Sequence, residues 1–498
     1  MKKEWKIALL ALIIIINCIF AYYPHFSYPY PINSDEYAHI ARAELISNSH
    51  KLPFINPYLA YPVKSVNLES GFHFMLAFLF LLIPGSPVLL YKFFILIFMI
   101  INSLLLFYLV MLWFKNYWIS LVSVLFYGTI RSTPDFLAHQ YFLPLTFGTS
   151  LFFLLLIFFH KFYVDKSNKH LYLFFITLLI SVVSYPPTLT FLAGVMLFYF
   201  ISMNHNLAER LGISKKKLFN YLIEIGAILI IILFILIKLN FLTDYLIFDA
   251  SWTPVQAKYS PIFFFGIIPS ILAVFGIFSL LNTAKPKIIL YWALFSIIQI
   301  YLFYVFNFTV LLPFIRLFLF YLIGVSILAG VGAVSLIPYV NRFFSNKHKI
   351  MSVLLIIVLI FSHYVFVIVM EKNKEINPII DNKTYNALIY LKENYNEKSI
   401  VIADGLTSAA VTPITGNYVV GVIESNIGGG EIGRSNKILT KETCDKKKVN
   451  IEKTGATISD ELEYSNPFTF FILSKEKINC SEFLELVYDK EPFIYKVI

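Results

Sequence analysis

From Val88 to Phe114 the chain runs for 27 residues with a single charged side chain, Lys92. A run of that kind does not suit the surface of a water-soluble fold. About 20 apolar residues cross the roughly 30 Å hydrocarbon core of a bilayer as a helix, and there the backbone must satisfy its own hydrogen bonds. The pattern recurs: apolar segments near 6–23, 88–112, 117–131, 140–159, 171–185, 187–203, 219–240, 263–281, 288–306, 313–339 and 351–370 predict eleven membrane spans. With 58% hydrophobic and 14% charged residues, the fold class expected is an all-α polytopic membrane protein over residues 1–370. The remaining residues, 371–498, alternate helical spacing at 384–395 with short apolar runs "SIVIADG", "NYVVGVI", "FTFFILS" and "FIYKVI", which predicts a C-terminal α/β domain.

Charge sets the topology. Residues 1–370 carry 24 Lys and Arg against 11 Asp and Glu, and residues 371–498 carry 16 against 19. The basicity therefore belongs to the membrane half, where it marks cytoplasmic loops and not nucleic-acid binding. The segment "SGFHFMLAFLFLLIP", residues 70–84, is short for a crossing and reads as an interfacial or re-entrant helix. With it left out of the count, the short inner loops hold 16 of those 24 cations, the N-terminus is cytoplasmic and the C-terminal domain is extracytoplasmic at the cell membrane. Lys2, Lys3 and the apolar run after them are read as a retained anchor. Seven of the eleven acids, Asp35, Glu36, Glu44, Glu69, Asp135, Asp244 and Asp249, then face outward. No inner loop is long enough to hold a soluble catalytic domain.

The most polar run of the membrane half is "PINSDEYAHIARAELI", residues 31–46, in a first outer loop spanning 24–87. Asn33 followed by Glu36 fits a capping box, with Asp35 and Glu36 in the first turn of a helix where carboxylates are favourable. At helical spacing Asp35, His39 and Arg42 share one face. A solvated amphipathic helix explains these charges equally well. The length of the loop, however, is that of a functional segment and not an ordinary connection.

"DEYAHIARAELI" after a first span, followed by "LPFINPYLAYPVKSVNLESGFHF", resembles the first outer loop of GT-C-fold glycosyltransferases: protein O-mannosyltransferases, lipid A aminoarabinose transferases and, more distantly, oligosaccharyltransferases. The second outer loop, "RSTPDFLAHQ", and the span "IRLFLFYLIGVSILAGVGA" resemble family features as well, as does the outward tail. The resemblance implies that Asp35 is the catalytic acidic residue, a base that accepts the acceptor hydroxyl's proton as the oxygen attacks an anomeric carbon with inversion. It implies a polyprenyl-phosphate-linked sugar as donor, arriving from the membrane lipids, and a protein, lipid or glycan as acceptor. Arg42, Arg131 and Arg316 are the candidates for the donor phosphate, since a guanidinium offers a bidentate fork. Glu36, His39, Glu69 and His139 are candidates for sugar or acceptor contacts. Asp135 is either a substrate-proximal acid or a helix N-terminal residue after Pro134. The Lys-Pro-Pro that follows the corresponding Glu in aminoarabinose transferases is absent after Glu69.

A divalent metal, Mg or Mn, is a possible cofactor, since oligosaccharyltransferases use one with acidic ligands. Asp35 and Asp135 lead the candidate ligands, with His39, Glu69 and His139 beside them. Cys444 and Cys480 both lie in the outward domain, where a disulfide is permitted. Two other classes remain open on sequence: a lipid or solute transporter, which should show internal repeats and mid-bilayer charges, and a non-catalytic membrane protein that displays the C-terminal domain.

Overall fold

A computed structural model describes residues 2–50, 55–60, 69–133, 136, 138–210, 247–249, 264–281, 287–343, 349–372, 378–395, 398–421, 435–440, 442–462 and 468–498. Ten of the eleven predicted spans coincide with helices: α1 Lys3–Tyr22, α4 Pro87–Phe114, α5 Tyr117–Tyr127, α6 Pro144–Asp165, α7 Asn168–Ser184, α8 Pro187–Arg210, α9 Ile267–Leu281, α10 Ile288–Phe306, α11 Phe314–Phe343 and α12 Lys349–Lys372. The predicted span at 219–240 lies outside the described residues. Six of these helices, α1, α4, α6, α10, α11 and α12, are long and apolar enough to cross a membrane by length and composition. The apolar stretches of α5, α7, α8 and α9 are shorter, 10 to 17 residues, and at 1.5 Å per residue the shortest covers about 17 Å. The chain is a multi-pass membrane protein. Two helices precede α4 in the outer loop, α2 Ser34–Ser49 and the short apolar α3 Ser70–Leu82.

The chain divides into two compact units, 1–23 with 95–140 and 144–374, and 24–94 with 141–143 and 375–498. The first outer loop thus groups with the C-terminal tail and not with the membrane helices that flank it in sequence.

In the first unit α11 is the central helix. Of its apolar window 89% is buried, against 22% for α1 and for α12. Its small residues explain how it accepts so many neighbours. A Cβ on Gly332 would stand 1.8 Å from the Leu272 carbonyl oxygen of α9, and one on Gly276 of α9 would stand 2.1 Å from the Leu328 carbonyl oxygen of α11. The two backbones therefore touch, and Ser279 and Ser335 exchange a hydroxyl hydrogen bond of 2.8 Å beside them. Lipid offers no hydrophobic drive for helix association, so close van der Waals approach and interhelical hydrogen bonds hold such bundles. Asn17 of α1 does the same work elsewhere, donating 2.9 Å to the Val124 carbonyl of α5. On α10, Trp292 donates 2.8 Å to the Phe320 carbonyl. A two-stranded antiparallel pair, β1 Ile247–Asp249 with β2 Phe308–Val310, completes the described elements of this unit.

In the second unit the C-terminal residues form α13 Asn382–Asn394, β3 Ile400–Ile402, α14 Thr407–Thr415, β4 Tyr418–Val419, α15 Cys444–Leu462, β5 Phe470–Ser474, β6 Leu484–Tyr488 and β7 Phe493–Val497. The sheet order is β4-β3-β5-β7-β6. β3 pairs in parallel with β4 and β5, while β7 runs antiparallel to β5 and β6. Four of the strands are those expected, and β6 was not. A disulfide joins Cys444 to Cys480. The outer loop is bonded into this domain: Tyr28 donates to the Ile380 carbonyl and Tyr30 to Asn382 Oδ1, each at 2.8 Å, while Tyr58 donates 2.9 Å to the Ala409 carbonyl. The Val419 amide returns a 2.8 Å bond to the Tyr58 carbonyl, and α14 packs on α2.

Two predictions follow from this packing. Gly332→Ala should lower the stability of the detergent-solubilised protein by about 1–3 kcal/mol, because its methyl meets backbone and not a movable side chain; an unshifted thermal midpoint would show that α9 and α11 are not in contact. Glu44, partly buried on α2, has its pKa pushed from the usual 4.5 up to about 8 by burial, with Lys392 opposing. The folded state therefore keeps a proton that the unfolded chain releases, and the stability this confers is full below pH 4.5 and lost as pH rises through 8. The slope is at most about 1.4 kcal/mol per pH unit. Thermal midpoints of wild type should fall as pH rises from 4.5 to 8 and level off above it, and Glu44→Gln should flatten that fall.

Candidate functional site

The helix α2 begins where the sequence places it. Asn33 Oδ1 accepts the Asp35 amide at 2.8 Å, and Glu36 Oε2 accepts the Asn33 amide at 3.2 Å, completing the capping box. Glu36 does more than cap. Its Oε2 also takes the Ile32 amide at 2.8 Å and its Oε1 takes the Phe142 amide at 3.0 Å, within a fully buried side chain. Burial raises its pKa to about 7 against the pull of those three amides. Both oxygens are thus engaged with main chain, and Glu36 fixes the helix start instead of facing a ligand.

Asp35 is half-buried in the first turn, with His39 one turn on and Arg42 one turn further along the same face. What that face meets is α3. Glu69 precedes α3 and His73 lies one turn into it, its amide bonded 3.2 Å to the Glu69 carbonyl. His39 Nδ1 and His73 Nε2 are 2.8 Å apart, one ring donating and the other accepting. Phe72 sets its ring edge-on to His39 at 5.2 Å between centroids. One ligand atom each from His39, Glu69 and His73 lies within 4.8 Å of the others. Burial, and then the charge of Arg42, hold His73 down to a pKa of about 3, so its ring is neutral and keeps a lone pair at physiological pH. Two imidazoles and a carboxylate form a donor set suited to transition ions such as Zn or Mn more than to Mg, which prefers oxygen.

His73 was absent from the sequence-based candidates. It stands in an apolar run, and the one local signal was its spacing of four from Glu69.

Of the remaining candidates, Arg131, His139 and Arg316 belong to the first compact unit. Arg131 is buried with its Nε 3.6 Å from Glu371 Oε1. His139 is buried with its ring against Tyr127, 4.3 Å between centroids. Arg316 occupies the first turn of α11, half-buried, its amide bonded 3.0 Å to the Pro313 carbonyl. Asp135 lies outside the described residues. The structure therefore brings Asp35, His39, Arg42 and Glu69 into one unit and adds His73.

No protein-family model matches the chain, and no curated protein sequence does either. Solved structures do. The archaeal oligosaccharyltransferase AglB from Archaeoglobus fulgidus, in complex with an inhibitory peptide and a dolichol-phosphate, superposes with a TM-score of 0.63 at 12% identity, over 95% of this chain and 70% of that one. The apo form of the Archaeoglobus fulgidus oligosaccharyltransferase gives 0.64 at 12% identity over the same shares. Its complex with Zn and sulfate gives 0.58 at 12% identity, over 97% of this chain and 72% of that one. Nearly the whole length of the chain thus shares its fold with these oligosaccharyltransferase structures, in keeping with the resemblance of the outer-loop motifs.

Proposed function

We propose that the protein is a membrane glycosyltransferase that moves a sugar from a polyprenyl-phosphate-linked donor to an acceptor on the extracytoplasmic face, with inversion. The observation that carries this reading is the convergence, within one unit of a GT-C fold, of a capped helix presenting Asp35, His39 and Arg42 with Glu69 and His73 of the next helix. Support for the donor class comes from AglB, which is solved with a dolichol-phosphate. An acceptor peptide is tethered in another structure of the Archaeoglobus fulgidus enzyme, which favours protein over lipid or glycan. Ten helices coincide with predicted spans, six of them long and apolar enough to cross a membrane; the proposed orientation, N-terminus inside and C-terminal domain outside, rests on the excess of Lys and Arg in the short inner loops.

In this reading Asp35 takes the proton of the acceptor hydroxyl while the new bond forms at the anomeric carbon. The bond from that carbon to the phosphate oxygen breaks in the same step, and its electrons leave with the phosphate. Arg42 presents a guanidinium group to the negative charge that develops there, and Arg316 is carried as a further candidate for the donor phosphate. Glu36 and Glu371 position the helix start and Arg131, while His139 and Asp135 serve the sugar or acceptor from the second outer loop. His39, Glu69 and His73 would hold a divalent ion, one ligand atom of each lying within 4.8 Å of the others. Such an ion, when bound, supplies positive charge to offset that of the phosphate.

Membranes incubated with a labelled polyprenyl-phosphate sugar should transfer label in wild type. Asp35→Asn should cut kcat by about 10²–10⁴, the usual worth of a general base; equal transfer by both proteins would remove Asp35 from the mechanism. Elemental analysis of purified protein should find an equimolar divalent transition ion that is lost from the His39→Ala/His73→Ala variant. The same metal content in both would place the ion elsewhere.

A further inference from the structure

Three tripeptides in the chain fit Asn-X-Ser/Thr, the pattern that accepts an N-linked sugar: Asn307-Phe308-Thr309, Asn382-Lys383-Thr384 and Asn479-Cys480-Ser481. The pattern joins the amide that takes the sugar to a hydroxyl two residues on, so an enzyme that modifies it has to reach both. The fold closes two of the three. Thr309 is fully buried in β2, and its hydroxyl donates 2.5 Å to the Leu312 carbonyl. Asn382, at the start of α13, accepts the Tyr30 hydroxyl on its Oδ1 at 2.8 Å, and Thr384 is buried.

The third is open. Ile478 and Cys480 are buried while Asn479 and Ser481 are exposed, the alternation of an extended segment whose side chains point in and out by turns. The bridge from Cys480 to Cys444 of α15 keeps that alternation from slipping: the middle residue is tied inward and its two neighbours are left to solvent. No hydrogen bond joins the Asn479 side-chain amide or the Ser481 hydroxyl to another described residue. Lys475, Lys477 and Glu482 around them are exposed, and Lys477 pairs with Asp489 at 2.8 Å. Charges of that kind do not face hydrocarbon, so this loop between β5 and β6 presents a water-facing surface.

We propose that Asn479 is a glycosylation site of this protein, modified on its side-chain nitrogen. That nitrogen forms a bond to the anomeric carbon of a sugar carried on a lipid phosphate. The bond from that carbon to the phosphate oxygen breaks, its electron pair leaves with the phosphate, and the displaced amide proton passes to a carboxylate of the modifying transferase. This rests on the proposed placement of the C-terminal domain on the extracytoplasmic face, where the proposed donor is used. The Cys444–Cys480 disulfide is of the kind that persists in an oxidising compartment, which agrees with that placement. A glycan at this loop would also have a use: β6, which follows it, is an edge strand, and a bulky hydrophilic group would screen an edge that is otherwise a template for association.

The test takes full-length protein from the membranes of the cells that make it naturally, digests it without reductant, and weighs the peptides that hold Asn307, Asn382 and Asn479 by mass spectrometry. The Asn479 peptide should be heavier than its sequence by whole sugar residues, and the other two should have their sequence mass. Asn479→Gln and Ser481→Ala should lose the added mass, while Ser481→Thr should keep it. An Asn479 peptide at its sequence mass in the wild type would overturn the inference, as would added mass that survives in Ser481→Ala. Alkylation of the unreduced protein then tells which step failed. Free thiols at Cys444 and Cys480 would mean that the outward placement is wrong, whereas a closed bridge would leave the placement standing and reject the site. A glycan at Asn479 on a protein that transfers no labelled polyprenyl-phosphate sugar would uphold the site and sink the proposed activity alone.

Discussion

Three backbone amides, those of Ile32, Asn33 and Phe142, converge on the Glu36 carboxylate, and the placement of the candidate site depends on that convergence. A helix leaves its first N–H groups without intrahelical partners; here Asn33 Oδ1 takes the Asp35 amide while Glu36 fastens the chain just before the helix, and together they decide where the helix starts. Moving that start by one residue would rotate Asp35, His39 and Arg42 about 100° around the helix axis, away from Glu69 and His73. Burial of Glu36 sharpens the constraint. An unsatisfied carboxylate in that position would bear the full desolvation cost, so alternative helix starts that release any of the three amides are disfavoured together.

Lipid imposes a different rule on the first unit. Apolar side chains gain little by leaving hydrocarbon for a protein interior that is equally apolar, so α11 is held by fit and by hydrogen bonds. Gly332 against the Leu272 carbonyl and Gly276 against the Leu328 carbonyl show the fit. Ser279 with Ser335, and Trp292 with the Phe320 carbonyl, show the bonds. The small residues of "GVSILAGVGA" are thereby accounted for by packing.

What the sequence made legible was local. Ten helices declared themselves by length and hydropathy, and the capping box by a spacing of three. The stripe Asp35, His39, Arg42 followed from helical periodicity. What escaped was pairing across distance. His73 sits in an apolar run, and only the fold of α3 onto α2 brings it to His39, 34 residues away. Glu371 and Arg131 are 240 residues apart, and no local pattern links them. β6 was missed because "LELVY" carries a charge and joins the sheet through tertiary pairing with β7. The grouping of the first outer loop with the C-terminal domain also rests on single contacts, such as Tyr28 with Ile380 and Tyr58 with Ala409, that leave no periodic trace.

The adjacent acids Asp35 and Glu36 show how environment divides labour that sequence alone cannot. Consecutive residues on a helix point about 100° apart, so one faces inward and its neighbour does not. Glu36 is sealed and bonded to main chain, with burial holding its pKa near 7. Asp35 is half-exposed on the face shared with His39 and Arg42. A general base must reach both solvent-borne acceptor and donor, which a sealed carboxylate cannot do. The pair therefore resolves into one residue that sets geometry and one available for chemistry, and the second depends for its position on the first.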